Sequence, residues 1–223
     1  FGKYKLLLAP ALHVLPDELA QRLLAYVRAG GVLFTDYRTG VKDEYNRCHA
    51  RTLPGKLATA LGVVIEEYGS IGAGAEFPLA DTPGFRGRYH CHRYADWLRA
   101  ESAEVLLRHT AWPLAKFAAL TRNRLGKGSA WHLGTVVKEE GFYDQLIGAL
   151  LAAACIRPVL RPPPGVEAVV RRGRKGRFLF LINHLEEKVE VPVPNGKPEL
   201  LSGRKTGKKL ILDRHGVAVI RIG

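Results

Sequence analysis

A proline-dense stretch constrains the fold of this chain most, because it separates two segments whose apolar runs differ in length. Residues 157–165 read RPVLRPPPG, a sequence that cannot continue a helix and forms a stiff connection. Before it, apolar runs of strand length alternate with runs of helix length, whereas every apolar run after it has strand length. We therefore predict an α/β domain over residues 1–160, a proline-rich linker over residues 161–165 and an antiparallel β domain over residues 166–223.

The first segment opens with a strand, a helix and a second strand. Residues 4–9 are an apolar run, Pro16 and two acidic residues begin an amphipathic helix, and a glycine pair ends it before the apolar run 32–36. Such a unit places its strands in parallel, with helices covering the sheet. We predict a mostly parallel sheet with helices on both faces.

The polar residues after the second strand occupy the position where open α/β sheets bind ligands. Neither a G-x-G-x-x-G nor a Walker pattern accompanies them, so we do not expect a nucleotide there.

A glycine-punctuated hairpin is the clearest pattern later in the first segment. Residues 117–135 read FAALTRNRLGKGSAWHLGT, two apolar runs around a Gly-Lys-Gly turn. Other elements of this segment are predicted from apolar spacing and glycine or proline breaks: a short helix over 54–61, a strand over 63–68, loop over most of 69–88, a strand over 104–108 and a helix over 142–154.

The second segment contains only short apolar runs separated by turns, which is typical of a small sandwich or barrel. The predicted strands cover residues 166–171, 178–183, 189–193, 199–201, 210–212 and 217–222.

A metal site would most plausibly use His90, Cys91 and His92, with Cys48 and His49 as further ligands. Structural zinc sites usually show Cys-x2–4-Cys or His-x3–5-His pairs, and this chain has neither. Partly buried or interface side chains are the favoured interpretation, and we predict no metal or other cofactor.

An amidotransferase-like cysteine hydrolase is one alternative, with Cys91 as nucleophile and His132 or His92 as base. Such a nucleophile sits on a tight elbow flanked by small residues, whereas Cys91 lies between two histidines. Glycosidase chemistry needs two carboxylates facing each other across a sugar, and the acidic pairs here are sequence neighbours that diverge on a strand. The sequence therefore predicts no active site in this chain.

The net charge of +13 suggests a second alternative, a basic nucleic-acid-binding module. The charge concentrates in residues 171–177 and 204–209, which are broken by glycine and lack interleaved aromatics, so solvated turns are favoured. No apolar run approaches the roughly 20 residues of a membrane span, and three cysteines without close spacing favour a reducing compartment. We expect a cytoplasmic protein that binds neither nucleic acid nor membrane.

Motifs along the whole chain resemble, in the same order, the C-terminal part of glycoside hydrolase family 42 β-galactosidases. Those of the first segment are YKLLLAPAL (4–12), AGGVL (29–33), YRTGVKDE (37–44), TRNRLGKG (121–128) and LGT (133–135). Those of the second are FLINH (180–184), LLSG (200–203) and HGVAV (215–219). Residues 69–93 depart from the family pattern.

The resemblance implies an amidotransferase-like (flavodoxin-like) α/β domain used for homotrimerisation, followed by a small β domain. In that family the catalytic glutamates lie in an N-terminal (β/α)8 barrel, so no catalytic residue carries over. It implies the non-catalytic assembly portion of an enzyme that hydrolyses terminal β-galactosides. The start at Phe1 and the absence of methionine also predict a piece of a longer protein.

The partners that the resemblance implies are further copies of the chain and the catalytic barrel. We expect polar loops at the ends of the first two strands to make these contacts. The predicted interface residues are His13, Tyr37, Arg38, Asp43, Glu44 and Asn46.

Overall fold

The computed structural model describes residues 1–50, 52–80 and 82–223, which form two compact units, residues 1–156 and 157–223. The described residues of the first unit form three α-helices, a short 3-10 turn at Gly55–Leu57 and nine strands. The helices are α1 (Asp17–Arg28), α2 (Ala58–Leu61) and α3 (Glu140–Ala153). The strands are β1 (Leu6–Ala9), β2 (Val32–Asp36), β3 (Val63–Ser70), β4 (Phe77–Leu79), β5 (Tyr89–Ala100), β6 (Glu104–Arg108), β7 (Ala118–Leu125), β8 (Gly128–Leu133) and β9 (Thr135–Val137).

The predicted strand–helix–strand unit is confirmed. Strand β1 pairs in parallel with β2, Leu6 lying opposite Val32. Helix α1 carries Asp17 and Glu18 in its first turn and Arg28 in its last, so charges of both signs match the helix dipole.

The prediction of a mostly parallel sheet is wrong. The sheet is mixed, in the order β1-β2-β8-β7-β5-β3. Among the strand pairs of the described residues, β1–β2 and β2–β8 are parallel, against six antiparallel pairs that involve β3 to β9. A parallel pair needs a long crossover, usually a helix, whereas tight turns join antiparallel strands. Between β3 and β9 the described residues form no helix, so these strands run back and forth.

Two hydrophobic clusters pack against the central strands. Leu23 and Val27 of α1 share one cluster with Leu33 of β2, and Phe142 and Leu146 of α3 share the other with the next residue, Phe34. Because side chains alternate along a strand, successive residues of β2 belong to different clusters.

The segment predicted as loop, residues 69–88, is partly strand. Strand β3 continues through Ser70, and β4 pairs with β5 although it contains Pro78. Pro78 has no N–H to donate, but its carbonyl accepts a hydrogen bond from the N–H of Thr110, and the neighbouring Leu79 bridges to His109. Asp81, which fell in the predicted loop, lies outside the described residues.

The second unit consists of two small antiparallel sheets, as the sequence predicts for an all-β domain. Strands β10 (Val166–Gly173), β11 (Gly176–Asn183) and β14 (Val217–Arg221) form one sheet, and β12 (Val189–Pro192) pairs with β13 (Lys209–Leu212). Residues of both sheets share one buried cluster, which includes Leu179, Ile220, Val191 and Leu212.

The predicted strand at residues 199–201 is wrong. Glu199 is only 5% exposed, and its carboxylate accepts hydrogen bonds from the N–H groups of Leu201, Ser202 and Val219. These bonds hold a turn in place of a strand. None of the helices formed by the described residues is long and apolar enough to cross a membrane.

Candidate functional site

The loops that follow β1 and β2 meet at the carboxyl end of the parallel strands. Asp36, the last residue of β2, accepts a hydrogen bond from the N–H of Ala11 over 2.7 Å. Burial raises the pKa of the Asp36 carboxyl in spite of this bond. Ala11 and Arg38 both adopt left-handed backbone conformations, with φ of 52° and 60°. Non-glycine residues rarely adopt this conformation, and it concentrates at sites that the fold holds in one shape.

Three of the predicted interface residues come together here. An Nη2 atom of Arg38 lies 3.4 Å from Nε2 of His13, and its guanidinium lies 5.7 Å from the ring centre of Tyr94. The Tyr37 ring packs against the same tyrosine, with ring centres 5.1 Å apart, and Tyr68 stacks 6.4 Å away. Burial, then the Arg38 charge, lowers the pKa of His13, which favours its neutral form. We call His13, Tyr37, Arg38, Tyr68 and Tyr94 the tyrosine cluster.

The other three predicted residues lie in a separate turn. Asp43 accepts hydrogen bonds from the N–H groups of Tyr45 and Arg47 and pairs with the Arg47 guanidinium at 2.9 Å. Asn46 accepts a bond from Lys42, and Glu44 is exposed. The Tyr45 ring is 71% exposed at the tip. The carboxylate of Asp43 therefore shapes the turn, which presents Glu44 and Tyr45 to solvent.

A buried Asp–His–Thr arrangement lies beneath the tyrosine cluster. Nδ1 of His132 lies 2.9 Å from the Thr35 hydroxyl, and Nε2 lies 3.4 Å from the Asp96 carboxylate. The order of groups resembles a hydrolase triad. All three side chains have 0% exposure, however, so no substrate can reach the hydroxyl, and the arrangement is structural.

Protonation of this arrangement follows from its hydrogen bonds. When the single hydroxyl proton of Thr35 is donated to the Trp131 carbonyl at 3.3 Å, Nδ1 of His132, 2.9 Å from the hydroxyl oxygen, carries the ring proton. In that arrangement Nε2 accepts a hydrogen bond from the protonated carboxyl of Asp96 over 3.4 Å. Burial raises the pKa of Asp96, which favours the protonated carboxyl that this pattern requires.

Sequence reasoning missed Asp96, Thr35 and Tyr94. Their partners are distant in sequence, since Asp96 lies 36 residues from His132 and Thr35 lies 97 residues from it. The available signal was a polar residue inside an apolar run, as in VLFTD and AWHL.

The predicted metal candidates separate on β5. His90 pairs with Glu139, its Nδ1 lying 2.8 Å from Oε1, whereas Cys91 is fully buried on the other face. Within residues 1–50, 52–80 and 82–223, no three His, Cys, Asp or Glu side chains are grouped to hold a metal ion. Cys48 is exposed, and together with His49 it lines a concavity formed with β3.

The cysteine-hydrolase alternative is not supported by the partners of Cys91. Its sulfur lies 3.5 Å from Nδ1 of His109, while His132 faces Thr35 and Asp96. Burial raises the pKa of the Cys91 thiol and lowers the pKa of His109 to about 4. Neither group is therefore charged near neutral pH, and a buried neutral thiol is a poor nucleophile.

The basic runs of the second segment lie at turns. Residues 171–177 span the β10–β11 hairpin, and residues 204–209 precede and enter β13. Their position agrees with solvated turn tips.

Comparison with known families and structures assigns a description to each segment. A family model described as "Beta-galactosidase trimerisation domain" matches residues 1–157, and one described as "Beta-galactosidase C-terminal domain" matches residues 165–221. The chain is 30% identical over 220 residues to the β-galactosidase LacZ of Heyndrickxia coagulans, covering 99% of this chain and 32% of that protein. It is 32% identical to a β-galactosidase of Arthrobacter sp., covering 97% of this chain and 30% of the relative.

The fold is similar to that of solved β-galactosidases. The crystal structure of the enzyme from Bacillus circulans sp. alkalophilus matches with a TM-score of 0.92 and 28% identity, covering 99% of this chain and 33% of that one. The enzyme of the haloarchaeon Halorubrum lacusprofundi matches with a TM-score of 0.83 and 26% identity, covering 98% of this chain and 31% of that one. The chain thus spans about a third of the length of the relatives that it matches.

Proposed function

Because this chain belongs to the β-galactosidase trimerisation-domain family and also carries that family's C-terminal domain, we propose that it is the assembly portion of a longer β-galactosidase. The proposal includes a homotrimer, a catalytic (β/α)8 barrel in the remaining two thirds of the protein, and hydrolysis of terminal β-galactosides. The observation that carries it is the match of one family model to residues 1–157 and of the other to residues 165–221.

The chain itself is non-catalytic in this proposal. A retaining glycosidase places two carboxyl groups about 5 to 5.5 Å apart on either side of the scissile bond. The most buried carboxyl groups do not fit that role, since Asp96 is sealed from solvent and Glu199 holds a turn. Glu139 is occupied by hydrogen bonds to His90.

We assign the tyrosine cluster and the exposed turn around Glu44 to contacts with another copy or with the barrel. The support is physical: Arg38 and Ala11 are held in an uncommon backbone conformation at a surface position, and Tyr45 is exposed to 71%.

The finer architecture belongs to the same proposal. We divide the chain into an assembly domain over residues 1–160, a linker over 161–165 and a β domain over 166–223, and we assign the first domain to the amidotransferase-like class with helices on both faces. The separate hydrophobic clusters of α1 and α3 support this assignment. We also propose a cytoplasmic location, which fits the free thiols of Cys48, Cys91 and Cys155.

The catalytic part of the proposal is tested by assaying the purified chain with nitrophenyl β-galactoside. We expect no turnover above buffer, with a full-length β-galactosidase relative as positive control. Hydrolysis that follows the purified chain through successive columns would contradict the proposal.

A further inference from the structure

The first unit leaves one edge of its sheet incompletely covered. Strand β1 is the edge strand and reads LLLA, the continuous apolar sequence of a strand meant to be buried on both faces. Leu7 packs into the α1 cluster and Leu6 against the α3 cluster, but Leu8, on the same face as Leu6, is 50% exposed.

Helix α3 covers the face of the sheet on which Leu6 and Leu8 lie, and it carries a second apolar stripe. Phe142, Leu146 and Leu150 are buried. Tyr143 and Ile147, which directly follow the first two in the sequence, are 37% and 40% exposed. The Tyr143 hydroxyl hydrogen-bonds to the backbone of Val137, and Gln145, on the other flank of α3, bonds to Arg86 and Tyr89 near β5. The exposed stripe therefore lies on the flank of α3 that faces away from Arg86 and Tyr89. We call Leu8, Tyr143 and Ile147 the edge patch.

The opposite end of the same sheet carries an apolar groove. It has a volume of about 300 Å³, lies along β3 and β5, and is lined by Tyr68, Ile71, Phe77, Trp97 and Leu114. Next to it, Trp112 is 86% exposed, although tryptophan is among the residues that contribute most to protein interfaces. We call this surface the Trp112 groove.

These two surfaces suit a ring of identical copies. In a cyclic trimer each contact is heterologous, so every copy needs two different surfaces that face away from each other. The sheet order β1-β2-β8-β7-β5-β3 places the edge patch and the Trp112 groove at its two ends. Both lie within residues 1–157, the span of the trimerisation-domain match. Docking of a barrel would require only one of them.

We propose that the edge patch of one copy docks onto the Trp112 groove of the next copy. This inference rests on the proposed assembly function and names the surfaces that would carry it. Burial of Ile147 and Leu8 against apolar groove residues provides the driving force, because apolar area is removed from water on both copies.

Charged substitutions at exposed positions test the pairing without disturbing a core. The variants are Ile147→Lys in the edge patch, Trp112→Lys at the groove, and Ile211→Lys as a matched control, since Ile211 is 65% exposed in the second unit. Mass is measured by light scattering after circular dichroism confirms folding. We expect three copies for the unmodified chain and for Ile211→Lys, and single copies for Ile147→Lys and for Trp112→Lys.

Mixing the two variants gives the decisive result. Each retains the surface that the other lacks, so an equimolar mixture should form a dimer with one chain of each kind and go no further. A misfolded chain cannot produce this complementation, and Leu8→Lys, on a different element, replaces Ile147→Lys if that variant fails to fold.

The outcomes separate the two proposals. An unmodified chain that stays monomeric overturns the assembly function and the pairing together. An unmodified trimer that persists in Ile147→Lys or Trp112→Lys, or a mixture that remains monomeric, overturns the pairing and leaves the assembly function standing.

Discussion

At the scale of single residues, two buried carboxyl groups show opposite responses to their surroundings. Burial alone would raise the pKa of both. At Glu199, hydrogen bonds from Ser202 and from the N–H groups of Val219 and Leu201 outweigh burial and lower the pKa to about 2. At Asp96 burial dominates over the His132 interaction, and the pKa is raised. The first group is stable as an anion, the second as a neutral acid.

Replacing Glu199 by Gln should destabilise the second unit. The carboxyl has a folded pKa of about 2 against an ordinary value of 4.5, which corresponds to roughly 3 kcal/mol of stability. Because the folded pKa is lowered, this contribution is present above pH 4.5 and is lost as the pH falls towards 2. Hydrogen exchange of β11 amides should show a loss of about 2 to 3 kcal/mol at pH 7.

The control for Glu199→Gln is Glu187→Gln, an exposed residue of the same unit. We expect no change in β11 protection for it. Equal protection of the Glu199→Gln variant and the unmodified chain at pH 7 would show that the carboxylate does not hold the turn.

Two substitutions of Asp96 should distinguish the stability that its size and shape provide from the effect of its ionisation. Asp96→Ala leaves Nε2 of His132 unpaired and opens a cavity, for which we expect a loss of about 2 to 4 kcal/mol. Asp96→Asn keeps the shape and resembles the neutral acid, so its loss should be below about 1 kcal/mol. Urea unfolding followed by tryptophan fluorescence measures both, because Trp97, Trp112 and Trp131 all lie in the first unit.

The pH dependence of Asp96→Asn follows from the raised pKa. The folded state holds the Asp96 proton more tightly than the unfolded state, so this group stabilises the fold below its ordinary pKa and loses that contribution as the pH rises towards the folded pKa. Asparagine does not ionise. The free energy of unfolding of Asp96→Asn should therefore rise relative to that of the unmodified chain between pH 4 and pH 7. A fall in the stability of Asp96→Asn relative to the unmodified chain over that pH range would indicate an Asp96 anion paired with His132.

At the scale of elements, the hairpin of β7 and β8 depends on two glycines for different reasons. Gly126 has a φ of +60°, which favours glycine, whereas Gly128 lies where a Cβ atom would be 2.3 Å from the carbonyl oxygens of Val27 and Gly31. The hairpin turn therefore packs directly on the end of α1. Lys127 is exposed at this turn.

A Gly128→Ala substitution should force α1 and the hairpin apart. The obstructing atoms belong to the backbone, so we expect a loss of about 2 to 4 kcal/mol in urea unfolding followed by tryptophan fluorescence. Gly148→Ala in α3 is the matched control, because no atom outside the helix backbone lies within 4 Å of the position of the added Cβ atom. This substitution should raise the free energy of unfolding by roughly 0.5 to 1 kcal/mol. Similar effects of the two substitutions would refute the close packing.

The elements that could be predicted from the sequence are those with a clear local pattern. The first strand–helix–strand unit, the hairpin and most strands of the second unit follow from local periodicity and from glycine or proline breaks. Strand β5 did not, because its pairing shifts between His92 and Ala95 and Arg93 there has a φ of 64°, so the buried residues change phase along the strand. The Asp96–His132 contact depends on how distant strands meet, which local patterns do not encode.

In the molecule as a whole, the buried ionisable groups stabilise the fold. Among the described residues we find no solvent-accessible group of side chains arranged for catalysis. The Asp–His–Thr arrangement is sealed, Cys91 is neutral and buried, and the edge patch and the Trp112 groove lie at opposite ends of one sheet. This combination fits a domain that brings copies together while another part of the protein performs the reaction.

The mass of the 223-residue chain in solution tests this account most directly. Light scattering across a concentration series into the tens of micromolar should approach three times 24.6 kDa, with the trimer fraction rising with concentration. A folded chain that remains at 24.6 kDa throughout that series would contradict the claim that residues 1–157 carry assembly.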